Sequence, residues 1–516
     1  MNFKRKLWWA QHKSNVYKYS TFILLFLIVT ISIIYFTYSK FTSKNEMTAY
    51  ETTVEPFIKN DYFIASYIDG EWSNEIPGKN DGYIIDKIVC DNGAVGTWDY
   101  NNWRIYIDNA TKKTKCSLFF VTGSLIDVEL YQGLIPVTYN SSGDVVVADT
   151  NTKWYDYSNH EWANAVLVNC ADSAIKSKYF DSNNKVLASA VGKTISMDEI
   201  MQMYVYIPRY KYQLFNAEDG TSVEQAINIT FESKTTAKST GSRNFTWLTH
   251  PAFTFGDKEL AGIWVGKFET SNTSALPKIV PNVSSLRSMN LSAQFNTSRL
   301  MTTTLASTYG TSTNDDSHMM KNMEWGAVAY LSSSIYGRYT NASTCIESGC
   351  EVWINNNENF TTGCAGSSVS AGRASTCNTW NTAIGVNAST TGNIYGIYDM
   401  SGGAYEYVMG NYNDKIDSAG FSSMPEDKYY DKYTGTSSES DFTKYHLGDA
   451  TKETLKTKST GGYSWYGDYS YSVYSYNTWV ERGGHYNSGT TAGLFYFGIV
   501  GTYLDDYSFR VVLNVL

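Results

Sequence analysis

Seven cysteines and six histidines carry most of the reactive chemistry open to this chain. The histidines are scattered, and no H-E-x-x-H zinc motif occurs. A G-x-S-x-G nucleophile elbow and a Walker A loop are also missing. The cysteines stand at Cys90, Cys116, Cys170, Cys345, Cys350, Cys364 and Cys377. None forms a C-x-x-C pair and no histidine lies close to them, which argues against zinc. In an oxidising location they would form disulfides instead. Cys90 and Cys116 bracket one short β segment and are the first expected pair. The four from Cys345 to Cys377 allow three pairings, which spacing does not separate. Cys170 is left over.

The other chemistry in reach is recognition. Tyr463, Tyr466, Tyr469, Tyr471, Tyr474, Tyr476, Tyr486, Tyr496, Tyr503 and Tyr507 are interleaved with Ser, Gly, Asp and Asn. Tyrosine gives a large, rigid, amphipathic contact at low ordering cost, and the small polar residues adapt their hydrogen bonds around it. A few such rings can dominate a binding energy. Rings beside Asp468, Asp505 and Asp506 would suit sugars as well as proteins. The competing reading is that alternate tyrosines face the core of an aromatic-rich sheet.

Short elements must position these residues. Residues 61–121 alternate with near period two and contain turn clusters such as Pro77-Gly78, so they predict a small β-sandwich module. Ser196 with Glu199 fits a capping box ahead of a short helix. Met203 to Leu214 reads as a strand interrupted by Pro208, and Ile263 to Glu269 as a buried strand. Met319 to Leu331 predicts the strongest helix, with Met320, Met323, Ala327, Val328 and Leu331 on one face. Residues 332–392 are rich in Ser, Thr, Asn and Gly. No fixed-period repeat is visible.

The chain has 516 residues, 18% charged and 42% hydrophobic, with 42 Tyr. Its net charge of −9 makes a phosphate-neutralising face, and so a nucleic-acid partner, a poor expectation. Phe22 to Phe36 is nearly all apolar, and residues 20–39 are long enough to cross a hydrocarbon core. Lys4, Arg5, Lys6, Lys13 and Lys18 precede this run without an acid, which predicts a cytoplasmic N-terminus and an external remainder. A cleaved signal peptide competes, but the basic segment is long and no A-x-A site follows. The expected organisation is a basic segment (1–19), a transmembrane signal anchor (20–39), a stalk (40–60), the β-sandwich module (61–121) and a large domain (122–516). That arrangement predicts a single-pass protein of a bacterial cell membrane with its C-terminal domain extracellular.

Several motifs resemble a known family. Gly392 to Tyr407 (GNIYGIYDMSGGAYEY) resembles the N-x-x-G-L-x-D-M-x-G-N-x-W-E-W segment of formylglycine-generating, sulfatase-modifying proteins. Trp264 to Glu269, the Met319–Leu331 helix, Arg482-Gly483-Gly484 and Ser508 to Leu513 resemble further motifs of that family, in the same order. The resemblance covers about 260–516. It implies an α+β fold: a C-type-lectin-like, formylglycine-generating-enzyme-like domain, here preceded by the β-sandwich module and an N-terminal transmembrane helix. It also implies structural calcium held by Glu406 with the carbonyls of Gly402 and Ala404, a hard oxygen set. Gly403 stands where the family usually has Asn. The family's oxidase holds copper on two cysteines after R-G-G-S-W, yet no cysteine follows Cys377 here. A soft thiolate pair suits Cu(I), so neither copper nor the oxidase is expected.

The segment after Arg482 also resembles the variable C-termini of proteins diversified by retroelements. That resemblance implies a ligand-binding face at His485, Asn487, Thr490, Thr491, Leu494, Tyr496, Gly498, Ile499, Tyr503, Asp505, Asp506 and Tyr507. Tyr466, Asp468, Tyr469 and Tyr486 join it on the tyrosine argument. The reading is a surface ligand-binding, adhesion or display protein, with no catalytic residues. Its partner would be a protein or glycan on another cell, a host or a phage. A divergent enzyme of the same family and a structural envelope protein are the two alternatives.

Overall fold

A computed structural model describes Lys13, residues 62–68, 71–72, 83–99, 104–109 and 114–122, and 126–516 apart from 127, 153, 219, 342–343, 347 and 501–504. The chain divides into Met1–Ile58 and Lys59–Leu516. All described residues except Lys13 belong to the second unit.

Runs rich in β-branched and aromatic residues fold as sheet, the surface on which such side chains pack best. In chain order the principal elements are β1 (Ile135–Tyr139), β2 (Val145–Val147), β3 (Asn164–Val168), β4 (Ile200–Pro208), β5 (Gly262–Gly266), β6 (Asp316–Met319), α1 (Asn322–Ser332), β7 (Tyr405–Tyr412), β8 (Trp479–Gly483), β9 (Gly493–Val500), β10 (Tyr507–Phe509) and β11 (Val511–Asn514). The first sheet has the order β6-β11-β5-β4-β3-β1-β2, antiparallel throughout. Its inner strands β3, β4 and β5 are buried along their whole length. This is why they read as continuous apolar runs rather than as alternation.

The second sheet runs from Asp431–Tyr433 through β7, β8 and β9 to Tyr469–Ser470 and Gly462–Tyr463. Strand β10 joins it by parallel pairing with β7. One residue later the chain enters β11 of the first sheet. The residue between is Arg510, and it is fully buried. Its guanidinium pairs with both oxygens of Glu406 on β7 and donates to the carbonyls of Gly266 (2.7 Å) and Tyr398 (3.0 Å). Helix α1 contacts β4 of the first sheet and β7 of the second. All eleven of its residues are buried, so the one-sided apolar stripe expected there is a helix covered all round.

The expected α+β fold is corrected. Among the described residues the regular structure is mostly sheet, with few and short helices, of which α1 is the longest at 11 residues. No helix among them is long and apolar enough to cross a membrane. The expected span 20–39 lies outside the described residues, and the single-pass membrane placement is withdrawn with it. The described strands between 62 and 122 form a four-stranded antiparallel sheet (Tyr62–Ile68, Glu71–Trp72, Tyr83–Cys90, Lys115–Thr122) and a separate antiparallel pair (Val95–Asp99, Arg104–Asp108). The Ser196–Glu199 capping box opens no helix. It is a turn, in which the Glu199 N–H bonds the Ser196 carbonyl, and it leads straight into β4.

Cys90 and Cys116 form a disulfide, facing each other across two paired strands. Cys345 pairs with Cys350 and Cys364 with Cys377, while Cys170 is a buried free thiol.

Removing one partner of a buried ion pair strands the other charge, at a cost of about 3–5 kcal/mol. Arg510→Ala should therefore lower the denaturant midpoint sharply. Arg510→Ala combined with Glu406→Gln should recover part of that loss. Equal midpoints for the single and double variants would show that the pair is not what joins the sheets.

Candidate functional site

Strand alternation sorts the second sheet into two faces. Glu406, Arg482, Phe495 and Phe497 point into the core, all fully buried. Tyr405, Tyr407, Glu481, Tyr496, Gly498 and Tyr507 share the opposite face. The registers Tyr407↔Glu481, Glu481↔Gly498 and Tyr405↔Tyr507 bring them together from four strands.

Glu481 is the hub of this face. It accepts from the Tyr496 hydroxyl at 2.7 Å and from the Tyr507 hydroxyl. A Cβ at position 498 would lie 2.3 Å from Glu481 Oε1, so only glycine lets the carboxylate cross its neighbouring strand. Burial lifts the Glu481 carboxyl to about 7, against the two hydroxyls that favour its charge.

A belt of rings extends from this hub. Tyr405 stacks on Tyr507 (5.1 Å) and on His485 (5.2 Å). His485 contacts Tyr486 at 4.0 Å, and Phe360 meets Tyr486 edge-on. The Arg287 guanidinium lies 3.7 Å from the centre of the Phe360 ring. In the other direction Tyr496 contacts Tyr469 (5.8 Å), which stacks on Tyr471 (6.0 Å). Tyr471 donates its hydroxyl to Glu439. Arg287, Phe360, Tyr405, Tyr469, Tyr471, His485 and Tyr486 are all half-buried. Each thus keeps part of its surface open to solvent. His485 lies 3.6 Å from Asp506, and burial holds its imidazole below the usual histidine range.

The structure divides the expected binding residues. Tyr469, His485, Tyr486, Asn487, Thr490, Thr491, Ile499, Asp505 and Asp506 are exposed or half-buried. Tyr496 and Tyr507 support the belt but are themselves only 5% and 4% exposed. Leu494 and Gly498 are buried. Asp468 is fully buried and accepts from the Phe495 N–H at 2.8 Å, so it anchors the start of β9 rather than facing a ligand. Tyr466 belongs to another cluster: its hydroxyl meets that of Tyr339 at 2.9 Å, and it adopts φ +62°. Tyr503 lies outside the described residues.

Glu406, expected to hold calcium with Gly402 and Ala404, gives both oxygens to Arg510. The Ala404 N–H donates to Glu269 Oε1. A Cβ at Gly403 would stand 2.4 Å from that same oxygen, which explains glycine where the related motif carries Asn. Among the described residues no group of three or more His, Cys, Asp or Glu side chains could hold a metal ion.

Arg287, Phe360, Tyr405 and Glu481 were not among the expected binding residues, and Tyr471 belonged to the tyrosine cluster without being placed on the expected ligand-binding face. Tyr405 sits in the Gly392–Tyr407 motif, where the family resemblance drew attention to Glu406 instead. Glu481 precedes Arg482, and period-two alternation along β8 would have placed it opposite the buried arginine. Arg287 and Phe360 reach the belt from distant loops, and no local pattern marks them.

No family profile matches this chain, and no curated protein matches it. One solved structure, titled "Major Tropism Determinant I1 Variant", is similar at 11% identity over 82% of this chain and 95% of that one, with a TM-score of 0.25. A superposition that loose carries no argument about fold or function.

Glu481 yields a prediction about pH. Its folded carboxyl is raised from 4.5 to about 7. The stability it contributes is therefore complete below pH 4.5 and lost as pH rises through about 7. Thermal melts of wild type and Glu481→Gln should converge below pH 4.5 and diverge in favour of the variant above about 7. A constant difference across that range would mean that Glu481 stays ionised.

Proposed function

We propose that this chain is a ligand-binding protein without catalytic activity. Its recognition surface is the tyrosine belt of the second sheet. The observation that carries this reading is the run of contacting rings from Phe360 to Tyr471, half-buried except where it passes through the covered Tyr496, and backed by a carboxylate that fixes two of the tyrosine hydroxyls. Rings already held in place lose little freedom on binding, so more of their contact energy appears as affinity. The belt offers ring faces, hydroxyls and one guanidinium, a set suited to a protein epitope or a glycan on another cell, a host or a phage.

The finer kinship with formylglycine-generating proteins and with retroelement-diversified C-termini belongs to this proposal and rests on the motif residues alone. The missing thiols after Cys377 support the absence of the copper oxidase. Acidity of the chain supports the absence of a nucleic-acid partner.

Binding of the labelled full chain to panels of bacterial cells, animal cells and phage particles tests the reading. Tyr469→Ala, Tyr486→Ala and Tyr405→Ala should each weaken whichever adhesion is found by about 1–2 kcal/mol, and a pair of them more than tenfold. Adhesion that survives all three changes would move the recognition surface elsewhere. Oxygen uptake by the copper-loaded chain with a cysteine-containing peptide would restore the enzyme reading.

A further inference from the structure

One cation of the tyrosine belt stands without an anion. Arg209, Arg299, Arg373 and Arg510 each reach a carboxylate. Arg338 and Arg482 are fully buried against backbone carbonyls. Arg287 differs from all of these. It is half-buried, and among the described residues no Asp or Glu pairs with it. Its Nη1 donates to the carbonyl of Asp505 at 2.9 Å. Its guanidinium sits 3.7 Å over the centre of the Phe360 ring, which holds the plane in place. Nε is sealed off. Nη2 is neither bonded nor sealed, so one N–H arm reaches solvent. A charge that has lost part of its hydration without gaining a counter-ion favours an arriving anion.

Open rings begin beside this cation. Phe360 meets Tyr486 at 4.9 Å and His485 at 5.6 Å, and both partners are half-buried. An anion on Arg287 and a face laid on Tyr486 or His485 therefore belong to one compact unit. Burial holds the His485 imidazole below the usual histidine range, so it is neutral at pH 7 and adds no positive charge. Asp506, 3.6 Å from His485, is half-buried and offers an acceptor for a ligand hydroxyl. The same carboxylate opposes a second negative charge. A phosphate, with roughly two charges, thus fits this end worse than a carboxylate with one.

Resting on the belt as the recognition surface, we infer that this end of it binds a sugar acid, a uronic or sialic acid residue of a glycan. The carboxylate accepts from Arg287 Nη2, and the pyranose lies against Tyr486 and His485. Such a unit carries its anion directly on a ring with an apolar face and hydroxyls around it. The side chain of an acidic peptide has the anion without the face.

Saturation-transfer NMR on the full chain tests this, with methyl glucuronide and methyl sialoside as acids and methyl glucoside as the neutral probe. Glucose 6-sulfate and N-acetylglutamate amide are the sulfate and peptide comparisons. One of the two acids should bind at least about tenfold tighter than the glucoside. Arg287→Gln should bring that acid down to the level of the glucoside and leave the glucoside where it was. Should Arg287→Gln lose both sugars, Arg287→Lys decides: a retained preference for the acid supports the proposal, and a lost one overturns it. It is also overturned by no transfer from either acid, by equal binding of acid and glucoside, by a preference that survives Arg287→Gln, or by tighter binding of the sulfate or the glutamate amide. In those cases the belt itself still stands if Tyr486→Ala weakens cell adhesion. Adhesion indifferent to Tyr405, Tyr469 and Tyr486 would remove both.

Discussion

The buried contact between Arg510 and Glu406 is the constraint on which the rest of this architecture turns. Arg510 occupies the single residue between β10 and β11, where the chain leaves one sheet for the other. Its guanidinium reaches a carboxylate of the second sheet and a backbone carbonyl of the first. A charge at that depth has to be met by fixed partners. The position of β10 is thereby set against β7, and the ring of Tyr507 against that of Tyr405. The recognition face thus inherits its geometry from an interaction on the other side of the same strands.

The second sheet divides its labour by face. Its inner face buries the Arg510–Glu406 pair, the serines Ser470 and Ser508, and Arg482, which donates to the carbonyls of Ala450 and Leu494. The outer face carries tyrosines whose hydroxyls are spent inward, on Glu481 and Glu439. The half-buried rings, among them Tyr469, Tyr471 and Tyr486, remain for contact, while Tyr496 and Tyr507 are covered. The carboxylate hub is possible because residue 498 has no side chain, so one glycine permits the whole arrangement.

Much of the local structure is legible in the sequence. Pro208 marks the break between two strands because it cannot donate to a ladder, and the expected helix over Met319–Leu331 is found as α1 from Asn322, with Met319 ending β6 instead. Other features depend on contacts made over long sequence separations. Ser196 and Glu199 have the residue types of a helix start, yet β3 claims the following segment as a paired strand. Asp468 has the look of a surface carboxylate among tyrosines, but the backbone of Phe495 draws it inside. Glu406 matches a calcium ligand by motif until Arg510, 104 residues later, takes both its oxygens. The overall class differs from the expected one because the family motifs imply more helix than the short α1 and its few companions provide.

Hydroxyl-radical footprinting of the full chain, free and bound to whichever cell or phage particle it adheres to, tests the central claim most directly. The account predicts protection concentrated on Phe360, Tyr405, Tyr469, Tyr471, His485 and Tyr486, with Tyr496 and Tyr507 little changed because they are already covered. Protection lying elsewhere, with those six residues unaltered, would contradict it.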